Sequence, residues 1–118
     1  MVDNTLIMTM LFDFFGELLT EKQREYFDLY YNEDFSLSEI AEKAGISLQG
    51  VYDTIARAEK LLVEMEQKTC VVERWLAARA EIEHVEEIAR ELLRLLGDEG
   101  KPADLARRLV RKLDGMKG

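Results

Sequence analysis

Helix-breaking residues are scarce in this sequence, and that scarcity limits its fold more than any other feature. The chain contains one proline, Pro102, and residues 51–96 contain neither glycine nor proline. Ala, Leu, Glu, Lys and Arg, which favour helices, are abundant, and the β-branched runs typical of strands are absent. The pattern predicts an all-α fold, and it is compatible with either one helix or two over residues 51–96.

The composition argues against several classes of protein. With 118 residues, of which 47% are hydrophobic, the chain is long enough to bury a core without disulfides. Its single cysteine, Cys70, cannot form an intrachain disulfide, which favours a reducing compartment and a cytoplasmic protein. No uncharged apolar run is long enough to predict a membrane span. One histidine and one cysteine, without a glycine-rich loop or a metal-ligand cluster, predict a non-enzymatic protein with no cofactor.

Capping sequences divide the N-terminal part of the chain into short helices. Residues 4–19 are apolar almost all round, which predicts a buried first helix. Capping boxes at residues 20–23 and 36–39 each predict the start of a further helix. Gly45 suits the left-handed residue that ends a helix, and Ser47 suits the N-cap of the next one.

Residues 36–60 contain the elements of a helix-turn-helix, namely a short helix, a turn with Gly45 and a second helix from Ser47. The small Ala41 lets the helices cross closely, and Ile46 and Val51 are predicted to fill the angle between them. Glutamine and arginine on the second helix can bind an adenine edge, a guanine or a phosphate. The candidate nucleic-acid-binding residues of this recognition helix are Ser47, Gln49, Tyr52, Asp53 and Arg57.

The charge of this region disfavours binding to DNA. The whole chain has a net charge of −8, and residues 1–70 contain 6 basic and 14 acidic residues. The outward side of the second helix is predicted to carry Arg57 against Asp53 and Glu59. Affinity for DNA depends largely on the neutralisation of phosphates by basic side chains, and this face is predicted to carry a single one, so binding to DNA is disfavoured.

A heptad repeat extends from residue 71 to residue 96. Its apolar positions alternate steps of four and three for about three and a half heptads, which predicts a seam between long helices. The seam could pack on the first helix of the same chain or on a second copy, and the amount of apolar surface favours a homodimer. The predicted dimer seam consists of Val71, Trp75, Ala78, Ile82, Val85, Ala89, Leu92 and Leu96.

The acidic residues beside this seam predict a solvated helix face. Glu81, Glu83, Glu86 and Glu87 are expected to be partly paired with arginines one helical turn away. Glu81 and His84 have the Glu-x-x-His spacing of di-iron bundles, but the further glutamate ligands of such a site are not evident. We therefore expect no metal site, and we expect Cys70 to be a small buried hydrophobe.

The last helix is predicted to begin near Pro102, since proline is favoured in the first turn. Leu105, Ala106, Leu109, Val110 and Leu113 form its predicted core face. Residues 101–118 carry a net charge of +4, in contrast to −12 over residues 1–100. This basic edge is the polar face of an ordinary amphipathic helix, a surface for RNA phosphates or a membrane-surface helix, and the absence of an aromatic anchor disfavours the last of these. Its candidate residues are Arg107, Arg108, Arg111 and Lys112.

A family resemblance becomes visible at the helix-turn-helix. The stretch LLTEKQREYFDLYYNEDFSLSEIAEKAGISLQGVYDTIARAEKLL resembles region four of bacterial sigma factors. More closely, residues 5–68 resemble the YlxM family of helix-turn-helix regulators, whose genes lie beside those of the signal recognition particle pathway. Leu48, Gly50 and Ala56 depart from residues common in that family. The resemblance implies a dimeric, non-enzymatic accessory protein of the signal recognition particle.

These patterns together predict a helix-turn-helix bundle like sigma region four, followed by a long heptad helix and a short C-terminal helix. Residues 1–68 form the predicted helix-turn-helix module, and residues 69–118 form a predicted helical dimerisation region. The family resemblance implies that the partner is the signal recognition particle, through its RNA or its GTPase protein. The alternatives are a sequence-specific DNA-binding regulator and a protein–protein adaptor that binds no nucleic acid.

Overall fold

The computed structural model describes residues 4–117, and throughout this range the chain is built from helices, as predicted. The helices are α1 (Asn4–Phe15), α2 (Glu21–Tyr31), α3 (Leu37–Ala44), α4 (Leu48–Thr69), α5 (Val71–Leu96) and α6 (Lys101–Met116). None of the helices within residues 4–117 is both long enough and apolar enough to cross a membrane. The contacts divide the chain into an N-terminal unit, Met1–Val72, and a C-terminal unit, Glu73–Gly118.

The core of the N-terminal unit lies between α1, α2 and α4. Phe27 and Leu62 are completely buried there. The ring of Phe27 stacks on Phe12, with 4.8 Å between centroids, and packs at a tilt against Tyr31 at 4.4 Å. Burial of these large side chains removes apolar surface from water, which is the main source of stability for a unit of this size.

The first helix differs from its prediction in length and in burial. It ends at Phe15 rather than near residue 19, because Gly16–Leu18 forms a 3-10 turn and Leu19 is extended before the capping box at Thr20. Met8, Leu11 and Phe15 are buried, whereas Leu6, Ile7 and Phe14 remain exposed. The apolar circumference of α1 is therefore covered on one side only.

Residues 51–96 belong to two helices, α4 and α5, whereas the sequence was compatible with either one helix or two. Cys70 adopts a left-handed conformation with φ of 54°, and its amide donates to the Glu66 carbonyl oxygen at 2.7 Å to end α4. The Glu66 carboxylate accepts from the amide of Val72 at 2.9 Å and so satisfies a free N–H at the start of α5. Cys70 itself is half-buried rather than fully buried.

Replacing Cys70 with glycine should stabilise the protein. A non-glycine residue in the left-handed region is disfavoured by about 1 kcal/mol, and glycine lacks the Cβ that causes the clash. We expect Cys70→Gly to raise the free energy of unfolding by about 0.5–1 kcal/mol in urea denaturation. Cys70→Ser keeps the Cβ and serves as the control, for which no gain is expected. A loss of stability in Cys70→Gly would contradict this account of the break.

The C-terminal unit is a helical hairpin with a small core. Ala89 of α5 packs against Val110 and Leu113 of α6, and Ile82 lies at the edge of this cluster. Ala103 and Ala106 are also buried. Leu105 and Leu109 were predicted to belong to the core face of α6, but both are exposed because the contact with α5 is shifted to one side of that face.

Candidate nucleic-acid interface

The helix-turn-helix is formed by α3, the turn at Gly45 and α4. Both hydrogen bonds of the Ser36 capping box are present, at 3.0 and 3.1 Å, and they lower the pKa of Glu39 below its usual range. Gly45 has φ of 72°, a conformation that glycine adopts without strain. Ile40 and Val51 are completely buried where the helices cross, so the second helix is held against the first as the motif requires.

A side-chain hydrogen bond joins α2 to α4, the recognition helix. The Tyr31 hydroxyl donates to the Glu59 carboxylate at 2.9 Å. Burial of the phenol, followed by this bond to an ionised carboxylate, raises the pKa of Tyr31 above its usual range. The prediction that Glu59 lies on the outward side of the recognition helix is therefore wrong, because Glu59 is half-buried against α2.

The predicted recognition residues are exposed at the start of α4 and along its outer side, but three of them already have partners. The Ser47 hydroxyl accepts from the amide of Gly50 at 3.0 Å and caps the helix. The Gln49 amide donates to the Asp53 carboxylate at 2.9 Å. Tyr52 and Arg57 are exposed, and Arg57 forms no ion pair within residues 4–117. The exposed side of α4 thus presents Arg57 beside Gln49 and Asp53, which are hydrogen-bonded to each other.

Ile46 does not fill the angle between α3 and α4, in contrast to the prediction. Its side chain is exposed, and the angle is closed by Val51 and Ile55 together with Ile40 and Ala41. A Cβ at position 50 would lie 3.5 Å from the Ile46 Cδ1 atom, which places Ile46 over the first turn of α4. The turn of the motif therefore carries an apolar side chain on its surface.

The basic edge of α6 is divided between bonded and unbonded cations. Arg107 donates to the Asp98 carbonyl oxygen at 2.9 Å and forms an ion pair with Asp104. Within residues 4–117, Lys101, Arg108, Arg111 and Lys112 are exposed and form no ion pair. At about 100° per residue, Arg108 lies half a turn from the buried stripe of α6, on the side away from α5.

A network of ion pairs fixes the end of α6 to α5. Glu86 binds Arg90 at 3.1 Å and the Lys117 ammonium at 2.9 Å, and Asp114 binds Arg90 at 3.3 Å. The Lys117 ammonium holds the pKa of Glu86 below its usual range, and Glu86 raises the pKa of Lys117. Glu86 is buried, so its prediction as part of a solvated face is wrong. The Glu86–Arg90 spacing suggested a pair, but nothing in the sequence indicated Lys117.

The residues of the predicted dimer seam have different surroundings. Ala89 is buried against α6, and Ile82 packs at the edge of the same cluster. Val71, Trp75, Ala78, Val85, Leu92 and Leu96 are exposed. Arg79 lies over the ring of Trp75 at 5.1 Å and donates to the Lys117 carbonyl oxygen at 2.9 Å. The seam thus contributes Ala89 and Ile82 to the hairpin core, whereas its other residues are exposed and Trp75 is in contact with Arg79.

Glu81 and His84 are exposed on α5. Among the residues that the structure describes, no group of three or more His, Cys, Asp or Glu side chains could hold a metal ion.

Comparison with known proteins identifies the family. Residues 2–96 match UPF0122, described as "Putative helix-turn-helix protein, YlxM / p13 like". A UPF0122 protein of Halalkalibacterium halodurans is 50% identical over 92 residues, which are 78% of each chain. A UPF0122 protein of Geobacillus kaustophilus is 42% identical over 115 residues, which are 97% of each chain. A Thermoanaerobacter relative is 55% identical over 74 residues, and the match spans 63% of its length and of this chain. This chain belongs to the YlxM / p13-like family of helix-turn-helix proteins.

Proposed function

We propose that this protein is a non-enzymatic accessory protein that acts as a homodimer and binds RNA of the signal recognition particle through α6. The observation that carries the proposal is the unpaired basic side of α6, formed by Lys101, Arg108, Arg111 and Lys112. The helix-turn-helix family supports nucleic-acid binding. The assignment to the signal recognition particle rests on the family resemblance, and its GTPase protein is the alternative partner there.

The geometry of α6 suits a phosphate backbone. Lys101 and Lys112 are eleven residues apart, which corresponds to about 16 Å along a helix and spans several phosphates. Arginine can bind phosphates with two donors and stack on unpaired bases, and RNA displays both groups in its loops and bulges. By contrast, the exposed side of α4 carries Arg57 next to the acidic Asp53, which disfavours the alternative of a DNA-binding regulator.

The homodimer is supported by an apolar face on the C-terminal unit. Eight large apolar side chains there are between 39% and 70% exposed. Together they offer an area on the order of 800 Å², which is what each partner of a standard interface contributes. The set consists of Val85, Ile88, Leu92, Leu95, Leu96, Leu105, Leu109 and Met116.

The apolar residues of this set on α5 and those on α6 lie on the same face of the hairpin, as their helical positions indicate. α5 and α6 run antiparallel, and their ion pairs Arg90–Asp114 and Glu86–Lys117 close the opposite side. A second copy related by two-fold symmetry would cover this apolar face and complete a four-helix bundle. Arg108 and Arg111 lie a quarter turn or more around α6 from Leu109, so they would stay accessible in the dimer, whereas Lys112 lies beside the contact.

Charge reversal on α6 tests the RNA proposal. We expect Arg108→Glu/Arg111→Glu to weaken binding to fluorescein-labelled signal recognition particle RNA at least tenfold in fluorescence anisotropy. Loss of these contacts should also lower the slope of log Kd against log salt by about 1 to 2.

Matched variants make this result specific. Arg74→Glu/Arg94→Glu reverses two exposed arginines of α5 and should change the Kd less than twofold. Equal losses in both double variants would indicate general charge attraction and contradict a site on α6. If Gln49→Ala/Arg57→Ala abolishes binding to a DNA duplex while the α6 variant does not, the protein is a DNA-binding regulator instead.

A further inference from the structure

A shallow groove lies between α5 and α6 of the C-terminal unit. Its apolar floor consists of the half-buried Leu93 and the buried Val110, and its rim consists of Arg107 and Arg111. Arg111 lies about 160° around α6 from Leu109, which belongs to the proposed dimer contact. The groove therefore stays open when that contact is covered.

The size of the groove suits one flat ring. Its volume is about 190 Å³, which is smaller than the roughly 300–1,000 Å³ of sites that enclose a cofactor or another small molecule. A nucleobase presents a flat π-face that packs on apolar side chains and on guanidinium planes. A ring of this kind can cover Leu93 and Val110 and leave its polar edge at the two arginines.

The charges that line the groove favour an anionic ligand. Both charged residues of its lining are arginines, and in the described part of the chain no carboxylate belongs to that lining. Arg107 donates to the Asp98 carbonyl oxygen at 2.9 Å and is ion-paired with Asp104, so the plane of its guanidinium is fixed before a ligand binds. Arg111 is exposed and forms no ion pair within residues 4–117.

The carboxylates on either side of the groove are already bonded to arginines. Asp104 and Asp114 each lie three residues from a rim arginine along α6. Asp104 forms its ion pair with that arginine, and Asp114 binds Arg90 at 3.3 Å. Arg111 and the exposed Arg108 have no carboxylate partner among residues 4–117, so an anionic chain is attracted to this side of α6.

We infer that the groove holds one unpaired nucleobase of the bound RNA, while the phosphates before and after that base contact Arg108 and Arg111. The inference rests on the proposed function and deepens it, because it selects RNA with unpaired nucleotides as the class of ligand. In a continuous RNA helix the bases are paired and stacked, whereas the bases of bulges and loops can be splayed out and stacked on arginine planes. A nucleotide without a pairing partner also leaves the stack at a lower cost.

Two synthetic RNA duplexes test the inference with the full chain. One duplex is fully paired, and the other has the same sequence with a single bulged adenosine. Each duplex carries fluorescein at one end. We expect wild type to bind the bulged duplex at least fivefold more tightly than the paired duplex in fluorescence anisotropy.

Substitutions in the groove locate the unpaired base. Leu93→Gln places an amide on the apolar floor and should reduce the ratio of the two dissociation constants to below twofold. Arg111→Lys keeps the positive charge but removes the guanidinium plane, so it should lower this ratio at least twofold. Leu76→Gln, at an exposed leucine of α5, is the matched control and should leave the ratio at its wild-type value. Unaltered thermal unfolding of each variant shows that the fold is intact.

The outcomes separate a failure of this inference from a failure of the RNA proposal. Equal binding of both duplexes by wild type, or an unchanged ratio in Leu93→Gln, would overturn the inference and leave RNA binding in place. Absence of binding to either duplex would contradict both. If the two duplexes bind equally and an amphipathic peptide of leucine and glutamate loses at least tenfold in affinity in Leu93→Gln, the groove receives an acidic protein segment instead of a base.

Discussion

Leu92→Glu/Leu109→Glu is expected to convert a dimer of this chain into monomers. The two leucines lie on α5 and α6, in the centre of the proposed contact, and a glutamate at either position would be buried against apolar groups of the second copy. An unpaired charge in such a place costs several kcal/mol per ion, and symmetry doubles the number of charges. Sedimentation equilibrium at micromolar concentration should give twice the 13.7 kDa mass of one chain for wild type, and 13.7 kDa for the variant.

The control for this experiment is Leu76→Glu. Leu76 is 45% exposed and Leu92 is 47% exposed, but Leu76 lies about half a turn away around α5. The same substitution there should leave the dimer intact. Helicity measured by circular dichroism should remain unchanged in both cases, since neither substitution touches the Ala89–Val110–Leu113 cluster. A wild-type mass of 13.7 kDa would rule out the dimer.

Phe27→Ala is expected to cause the largest loss of stability among single substitutions in the N-terminal unit. The side chain is completely buried between the rings of Phe12 and Tyr31, and it contacts the core formed by α1 and α4. Truncation would remove the ring contacts and leave a cavity, at a cost of about 3–5 kcal/mol. This is a large part of the roughly 5–15 kcal/mol that stabilises a typical domain. Urea denaturation followed by circular dichroism measures the change.

The matched control is Phe14→Ala on α1. Phe14 is exposed, so removal of its ring should change the free energy of unfolding by less than about 1 kcal/mol. The contrast tests whether the covered side of α1 is the one that faces Phe27. Equal destabilisation by the two substitutions would mean that α1 packs through another side.

Local sequence signals predicted most helix starts because caps depend on neighbouring residues. The capping boxes at Thr20 and Ser36, the left-handed Gly45 and the N-cap Ser47 are all present. Each involves a hydrogen bond or a backbone conformation within four residues. The end of α4 could not be predicted in this way, because Cys70 has no intrinsic preference for the left-handed conformation that it adopts.

The sequence predicted which side chains of the candidate site are exposed, but it did not predict the contacts that residues make with other helices. Exposure of Gln49, Tyr52, Asp53 and Arg57 follows from helical spacing, and their exposure is observed. That Lys117 binds Glu86 depends on how α6 packs on α5, over 31 residues of sequence. Ile46 illustrates the same point, since an apolar residue after the turn could be buried or exposed until the crossing of α3 and α4 is known.

The sequence by itself determined the helical character of the chain, the helix-turn-helix and the opposite charges of its two ends, because these depend on residue type and on spacing within a few residues. The tertiary structure decided which side of each amphipathic helix is covered. Burial of α6 through Ala106, Val110 and Leu113 leaves Leu105 and Leu109 in solvent, and binding to Glu86 neutralises Lys117, one of the six basic residues within residues 101–118. Contacts of this kind depend on distances between separate helices, which a helical periodicity does not contain.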